Sequence, residues 1–227
     1  MVRNLLTGNL NDNEKASLSQ MWRVFFHVLN HPEEYTHNAS EAHLNPEQAK
    51  AIAEDGPPSQ TMSQNEKESK AHREEQVALS DVLVHHGVQK FYDSFWVLCG
   101  PDPPDMVMLK FLRARKWDVE RAVAMLARCI KWRIDVDVSG IIEKGDLGLS
   151  EEDPNYLKQG ESGKAYAASA SKENMPVVFF EVQKHHARGQ SSDTMRKFAV
   201  ISSESYRALM SYPHDKCVIT DQNCYCV

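Results

Sequence analysis

Two β-type runs with a helical pattern between them constrain the fold more than any other feature of the sequence. PVVFFEV (Pro176–Val182) is a short apolar run rich in Val and Phe, which is typical of a buried strand, and KCVIT (Lys216–Thr220) predicts a second. Between them, apolar residues recur at helical spacing from about Asp193 to Met210. A strand, a helix and a strand in this order form a βαβ unit, which is right-handed with parallel strands. The sequence therefore predicts an α/β fold.

A helical region precedes this unit. Apolar residues at helical spacing predict a first helix over residues 9–30, with Asn11 or Asp12 as its N-cap. MVMLKFLRARK (Met106–Lys116) predicts a short helix, and Asp118 is a good N-cap for a second helix that buries Val119, Ala122, Val123, Leu126, Cys129 and Ile130. The two helices are joined at Lys116–Trp117 and form a helical hairpin.

Composition divides the chain into four segments. The stretch GPPSQTMSQNEKESKAHREE (Gly56–Glu75) has almost no apolar residue, so we expect it to be a disordered linker. An N-terminal helix and polar segment (1–55) precede the linker. A helical region (76–140) and a strand-containing region (141–227) follow it.

Charge is distributed unevenly. The chain as a whole has a net charge of −6, which argues against general nucleic-acid binding. Residues 110–133, however, contain eight Lys and Arg against two Asp and Glu, so this one stretch is basic in an otherwise acidic chain. KFLRARKWDVERA (Lys110–Ala122) lies within it. This asymmetry predicts an anionic partner.

Several function classes lack support in the sequence. No segment has the length of a membrane span, and MVRNLL has no signal-peptide layout. Five cysteines without a regular framework are typical of reduced thiols in the cytosol. GESGK (Gly160–Lys164) is an incomplete P-loop, which we interpret as a turn. The pairs His85-His86 and His185-His186 do not form metal sites by themselves, because adjacent side chains point apart. The C-terminal CYCV departs from the sequence of a prenylation box. We therefore predict no catalytic residues, no metal and no cofactor.

The stretch DMVMLKFLRARKWDVERAVAMLARCIKWR (Asp105–Arg133) resembles the N-terminal helical region of the CRAL-TRIO family, the phosphatidylinositol/phosphatidylcholine transfer proteins. FYDSFW (Phe91–Trp96) resembles the segment before this hairpin, and residues 163–210 resemble the first strand and helix of the family's lipid-binding lobe. VITDQNCY (Val218–Tyr225) lies where the family has a core strand. The resemblance extends over roughly residues 90–224.

The resemblance implies a non-enzymatic protein that binds and transfers a phosphatidylinositol-type phospholipid at membrane surfaces. The second arginine of FLRARK, which helps to bind the inositol-phosphate headgroup in the family, corresponds to Arg115, and Arg113 and Lys116 are candidates for further contacts with phosphates or the membrane. Val178 and Phe180, two residues apart on a strand, are candidates for the lipid pocket. The implied location is the cytoplasm, with peripheral association with endomembranes.

The sequence also departs from the family pattern. KENMP (Lys172–Pro176) retains the proline of the family's Asp-x-x-Gly-Arg-Pro turn but not its Gly and Arg. Residues that would provide the later strands and the gate helix do not follow Thr220, so we expect a C-terminally truncated lobe. The alternative function is a fragment that acts only as a helical protein-interaction module or has no function.

Overall fold

The computed structural model describes residues 10–36, 64–185, 190–210 and 217–221. They belong to two compact units, one within Thr7–Val136 and one within Asp137–Val227. The predicted four-segment division of the chain stays a prediction.

The first unit is helical. Its elements are α1 (Asp12–Asn30), α2 (Gln64–Cys99), α3 (Pro104–Ala114) and α4 (Val119–Asp135), with a further helical turn over residues 32–36. α2 contains a non-helical residue at Gly87. All four helices contribute to one apolar core, whose fully buried members include Met21, Val28, Val82, Phe91, Phe95, Met108, Leu109, Leu112, Leu126 and Ile130.

Of the two N-cap candidates that the sequence offers for the first helix, Asn11 and Asp12, the structure has Asn11. Asn11 is the N-cap of α1, and its side chain accepts a hydrogen bond from the Glu14 backbone N–H while the Glu14 carboxylate accepts one from the Asn11 N–H. This reciprocal pair satisfies two backbone donors that the first helical turn leaves without partners. The Trp22 indole N–H donates to the Asp105 carboxylate over 2.7 Å, which links α1 to the first turn of α3.

The predicted linker is wrong over residues 64–75, which belong to α2. Their composition explains the difference, because Glu, Lys, Gln, Ala and Arg have high intrinsic helix propensity even where few residues are apolar. Residues 56–63 lie outside the described part of the chain.

The second unit combines helices and a sheet. In chain order it contains α5 (Val138–Glu152), α6 (Asn155–Glu161), β1 (Ala165–Ala170), β2 (Pro176–Phe180), a 3₁₀ turn (Val182–Lys184), α7 (Ser192–Leu209) and β3 (Val218–Asp221). The strands form a sheet in the order β1-β2-β3. β1 is antiparallel to β2, and β2 is parallel to β3 with Val178 opposite Ile219.

The α/β fold class is therefore confirmed, with the βαβ unit formed by β2, α7 and β3. The hairpin partner β1 was missed because AYAASA lacks the β-branched residues that mark strands, and residue pairing across the hairpin stabilises it instead. α5 and α6 were also missed. α5 contains three glycines, one of which, Gly145, has a left-handed φ of 58°, so helical periodicity is weak there.

Candidate functional site

Arg115 lies at the junction between α3 and α4, where it is the C-cap residue of α3. The Trp117 N–H donates to the Leu112 carbonyl over 2.7 Å, and the Lys116 N–H donates to the Arg113 carbonyl over 3.2 Å. These two bonds are the pair that defines a Schellman motif. The motif ends the helix at a fixed residue and therefore fixes where the Arg115 side chain leaves the backbone.

The junction adopts a conformation that is unusual for its residues. Lys116 has a φ of 54° and Trp117 a φ of 69°, although neither is glycine. A side chain in this left-handed region costs free energy, and the surrounding structure must compensate for it. Trp117 packs against the apolar core, and Leu112, three residues before the C-cap, is fully buried. A hydrophobic contact of this kind commonly accompanies the motif.

Asp118 completes the junction on the α4 side. It is the N-cap of α4, as predicted, and its carboxylate accepts a hydrogen bond from the Arg121 N–H over 3.1 Å. Its own N–H donates to the Arg115 carbonyl over 3.1 Å. Arg115 is thus held by backbone hydrogen bonds on both sides.

The three basic candidates differ in exposure. Arg113 and Arg115 are half-buried, whereas Lys116 is exposed. Nε of Arg115 and Nη1 of Arg113 are shielded from solvent. A guanidinium in such a position presents a planar set of donors with reduced competition from water, which favours the binding of a phosphate or a carboxylate. Arg133 in the last turn of α4 is also buried, a position that sequence reasoning did not single out.

Lys110, also within the basic stretch, has a structural partner. Its ammonium group lies 3.1 Å from the Asp102 carboxylate, which precedes α3. Lys110 therefore has a structural partner outside the group of basic residues at the helix junction.

Val178 and Phe180 lie in the second unit and point to the same face of the sheet, as alternation predicts. Val178 is 1% exposed and Phe180 is 38% exposed. The Phe180 ring makes an edge-on contact with Tyr206 of α7, at 6.5 Å between ring centroids, so α7 covers this face at Phe180. On the opposite face, the Phe179 and Tyr166 rings stack at 5.3 Å.

A shallow cavity of about 340 Å³ lies beside the β1–β2 hairpin. Its lining consists of Ala167, Ala168, Ser169, Ala170, Asn174, Pro176 and Leu209. Val178 and Phe180 do not belong to that lining, so their assignment to a lipid pocket stays a prediction.

The GESGK stretch adopts the turn predicted for it. Gly160 and Glu161 end α6, and β1 begins at Ala165, an order of helix, turn and strand that is the reverse of a P-loop. Lys164 is nevertheless unusual, because it is buried and its ammonium group donates to the amide oxygens of Gln159 and Gln190, at 2.6 and 2.9 Å. Burial lowers the pKa of Lys164.

The adjacent histidines His85 and His86 bind different carboxylates. His85 Nδ1 lies 2.9 Å from Asp81, and His86 Nε2 lies 2.7 Å from Asp135. Lys131 lies 2.6 Å from Asp135 and 3.7 Å from Asp81. The Lys131 hydrogen bond, with a further one from His86, lowers the pKa of Asp135. His85 and His86 are therefore part of an ion network between α2 and α4. His186 lies outside the described residues.

Comparison with known proteins finds a family match within the first unit. Residues 58–128 match the family model of the CRAL/TRIO N-terminal domain, a range that includes the whole Arg115 junction. Residues 58–128 are therefore similar to the CRAL/TRIO N-terminal domain. The resemblance predicted from the FLRARK stretch is confirmed.

The chain is also similar in sequence to several known proteins, among them the following three. The phosphatidylinositol transfer protein CSR1 of Eremothecium gossypii is 32% identical over 127 residues, which cover 55% of this chain and 29% of that protein. A CRAL-TRIO domain-containing protein of Schizosaccharomyces pombe is 28% identical over 156 residues, 68% of this chain and 34% of that protein. Patellin-6 of Arabidopsis thaliana is 35% identical over 89 residues, 38% of this chain and 20% of that protein. The chain thus spans about a third or less of these relatives' length.

None of the helices in the described ranges combines the length and the apolar composition that a membrane span requires.

Proposed function

We propose that this chain binds a phosphatidylinositol-type phospholipid at a membrane surface, without catalysing a reaction, and that Arg115 contacts the headgroup phosphate. The observation that carries the proposal is the CRAL/TRIO N-terminal domain over residues 58–128, together with a relative that is a phosphatidylinositol transfer protein. The proposed setting is the cytoplasm, with peripheral association with endomembranes.

The junction geometry supports the role of Arg115. Its backbone is held by hydrogen bonds on both sides, and its Nε is shielded from solvent. A side chain that leaves a fixed backbone loses less conformational entropy when it binds a phosphate than one on a mobile loop. Hydrogen bonds to charged groups contribute about 1.5–3 kcal/mol each, which corresponds to roughly tenfold or more in affinity.

Arg113 and Lys116 have a different proposed role. They flank Arg115, and Lys116 is exposed. Basic residues near an anionic membrane contribute about 1 kcal/mol each, and this contribution falls as the salt concentration rises. We therefore propose that they attract the membrane rather than select the lipid.

Vesicle flotation tests the proposal. The full chain is mixed with phosphatidylcholine vesicles that contain either phosphatidylinositol or a neutral lipid, at low and high salt. We expect Arg115→Ala to weaken phosphatidylinositol-dependent binding about tenfold, and Arg115→Lys to recover part of it, because lysine retains the charge but not the planar set of donors. Lys116→Ala weakens binding at low salt only.

Arg128→Ala is the matched control, since it removes the same charge from an exposed position on α4. Equal losses for Arg115→Ala and Arg128→Ala would show that charge alone matters and would contradict the headgroup role. If the wild-type chain binds neither vesicle type, the lipid-binding proposal fails, and the alternative of a helical interaction module gains support.

A further inference from the structure

We propose that the C-terminal end of α1 and the turn after it form a divalent metal site, with Zn²⁺ as its preferred ion, whose ligands are His27, His31, Glu33 and Glu34. All four side chains are exposed. The proposal is independent of lipid binding and involves a different part of the first unit from the Arg115 junction.

The ligand atoms of His31, Glu33 and Glu34 are already close together, and His27 lies next to one of them. One ligand atom from each of His31, Glu33 and Glu34 lies within 4.8 Å of the other two, and His31 Nδ1 is 3.6 Å from a Glu33 oxygen. His27 Nε2 is 3.9 Å from a Glu34 oxygen. Ligands around a tetrahedral zinc ion, each about 2.0–2.2 Å from the metal, are roughly 3.3–3.6 Å apart. The proposed site requires these exposed side chains to rotate until the four ligand atoms reach that spacing.

The sequence HVLNHPEE (His27–Glu34) explains how the cluster arises. His27 and His31 are four residues apart at the end of α1, so their rings lie on the same side of the helix, with centroids 4.8 Å apart. The chain then turns, which brings Glu33 and Glu34 back toward the two rings. Two imidazoles and two carboxylates are a ligand set that suits Zn²⁺ better than Mg²⁺ or Ca²⁺, which prefer oxygen ligands alone.

Tyr35 contacts His27 from outside the proposed set of ligands. Its hydroxyl lies 3.1 Å from His27 Nδ1, and its side chain packs against the core of the first unit. A histidine whose Nδ1–H donates to this hydroxyl has its lone pair on Nε2, the atom that is near Glu34. Such outer partners orient metal-binding histidines.

The position on the helix also favours a cation. The carbonyl groups at the end of a helix carry partial negative charge, and α1 is 19 residues long. With neutral histidines the four ligands contribute a charge of −2 from Glu33 and Glu34, which matches a divalent ion. Bound metal would link the end of α1 to the turn that contains Tyr35.

Titration calorimetry with ZnCl₂ on the metal-free full chain tests the proposal, with far-UV circular dichroism to confirm that each variant is folded. We expect His31→Ala and the double variant His27→Ala/His31→Ala to lose at least tenfold in zinc affinity. Tyr35→Phe, which keeps the ring but removes the hydroxyl, should lose about tenfold, in line with other outer partners. Zinc should raise the Tm of the wild-type chain and leave that of the double variant unchanged.

His85→Ala is the matched control, because it removes an exposed histidine that pairs with a carboxylate elsewhere in the same unit. Cobalt substitution identifies the ligand type, since a thiolate ligand gives an intense near-ultraviolet band and nitrogen and oxygen ligands do not. Three outcomes would overturn the proposal: wild-type affinity no higher than that of the double variant, an equal loss in His85→Ala, or a thiolate band from the cysteines.

Discussion

Lys116 and Trp117 hold left-handed backbone conformations that residues with side chains seldom adopt. The free-energy cost of these two conformations is located in the turn that positions Arg115. Glycine would adopt the same conformation without the steric penalty. In the proposed function, the Lys116 side chain contributes positive charge near the membrane.

The variant Lys116→Gly tests the backbone strain in this turn. Relief of the left-handed strain, reduced by the greater entropy of glycine in the unfolded chain, should raise the free energy of unfolding by about 0.5–1 kcal/mol. Urea denaturation followed by circular dichroism measures it. Arg113→Gly, inside α3, is the control and should lower stability by about 1 kcal/mol. A loss of stability in Lys116→Gly would contradict the strain assigned to this turn.

Lys164 allows a second prediction for a single residue. It is 7% exposed and bound to neutral amide oxygens, and burial lowers its pKa from the ordinary value of 10.5. Between its folded pKa and 10.5 the unfolded chain binds more protons than the folded chain, so the contribution of Lys164 to stability rises with pH in that window.

The comparison variant is Lys164→Met, which has no titrating group at this position. We expect the stability of the wild-type chain relative to Lys164→Met to increase as the pH rises from neutral toward 10.5. Urea midpoints of both proteins over this range measure the difference. A difference that stays constant or decreases with pH would show that the amine of Lys164 is not desolvated in the folded chain.

The sequence predicted residues whose role is local and missed those whose role depends on the tertiary structure. Asn11 and Asp118 could be assigned as caps because the signal consists of a residue type next to a helical pattern. The buried Lys164 donates a hydrogen bond to Gln190, which is 26 positions away. Lys116, with its left-handed φ, precedes Trp117, which packs against the core. Contacts of this kind cannot be predicted from a local pattern in the sequence.

At the level of elements, helices with a strong apolar stripe were predictable. α1, α3, α4 and α7 combine a regular stripe with a cap or a proline at the start, and sequence bounds agree with the structure to within a few residues. α5, α6 and β1 lack such a stripe. The helical residues 64–75 show the opposite error, since low hydrophobicity was interpreted as disorder although the residues are good helix formers.

Asp118 allows an element-level prediction, because it caps α4 and bonds to the Arg115 carbonyl through its N–H. Asp118→Ala should lower the free energy of unfolding by about 1 kcal/mol, since one backbone donor of α4 loses its partner. Asp118→Asn retains a capping oxygen and should lose a few tenths of a kcal/mol. Thermal or urea unfolding measures both variants. Equal stability of Asp118→Ala and the wild-type chain would show that water replaces the cap at no cost.

At the scale of the molecule, the first unit has an apolar core of its own. The core cluster of α1, α2, α3 and α4 consists entirely of residues between Leu10 and Ile134, all within the first unit. A segment with its own hydrophobic core has the properties of a domain. The CRAL/TRIO N-terminal match at residues 58–128 lies in this unit, and α1 adds Met21, Phe25 and Val28 to its core.

We therefore predict that residues 7–136 alone fold cooperatively. Urea denaturation followed by far-UV circular dichroism should give one sigmoidal transition. Within this fragment, Phe95→Ala should lower stability by about 3–5 kcal/mol, because Phe95 is fully buried and contacts Phe25 and Trp22. Trp132→Ala, which truncates a half-exposed aromatic residue, should change stability by about 0.5 kcal/mol or less. A gradual loss of helix without a transition would mean that this core needs the rest of the chain.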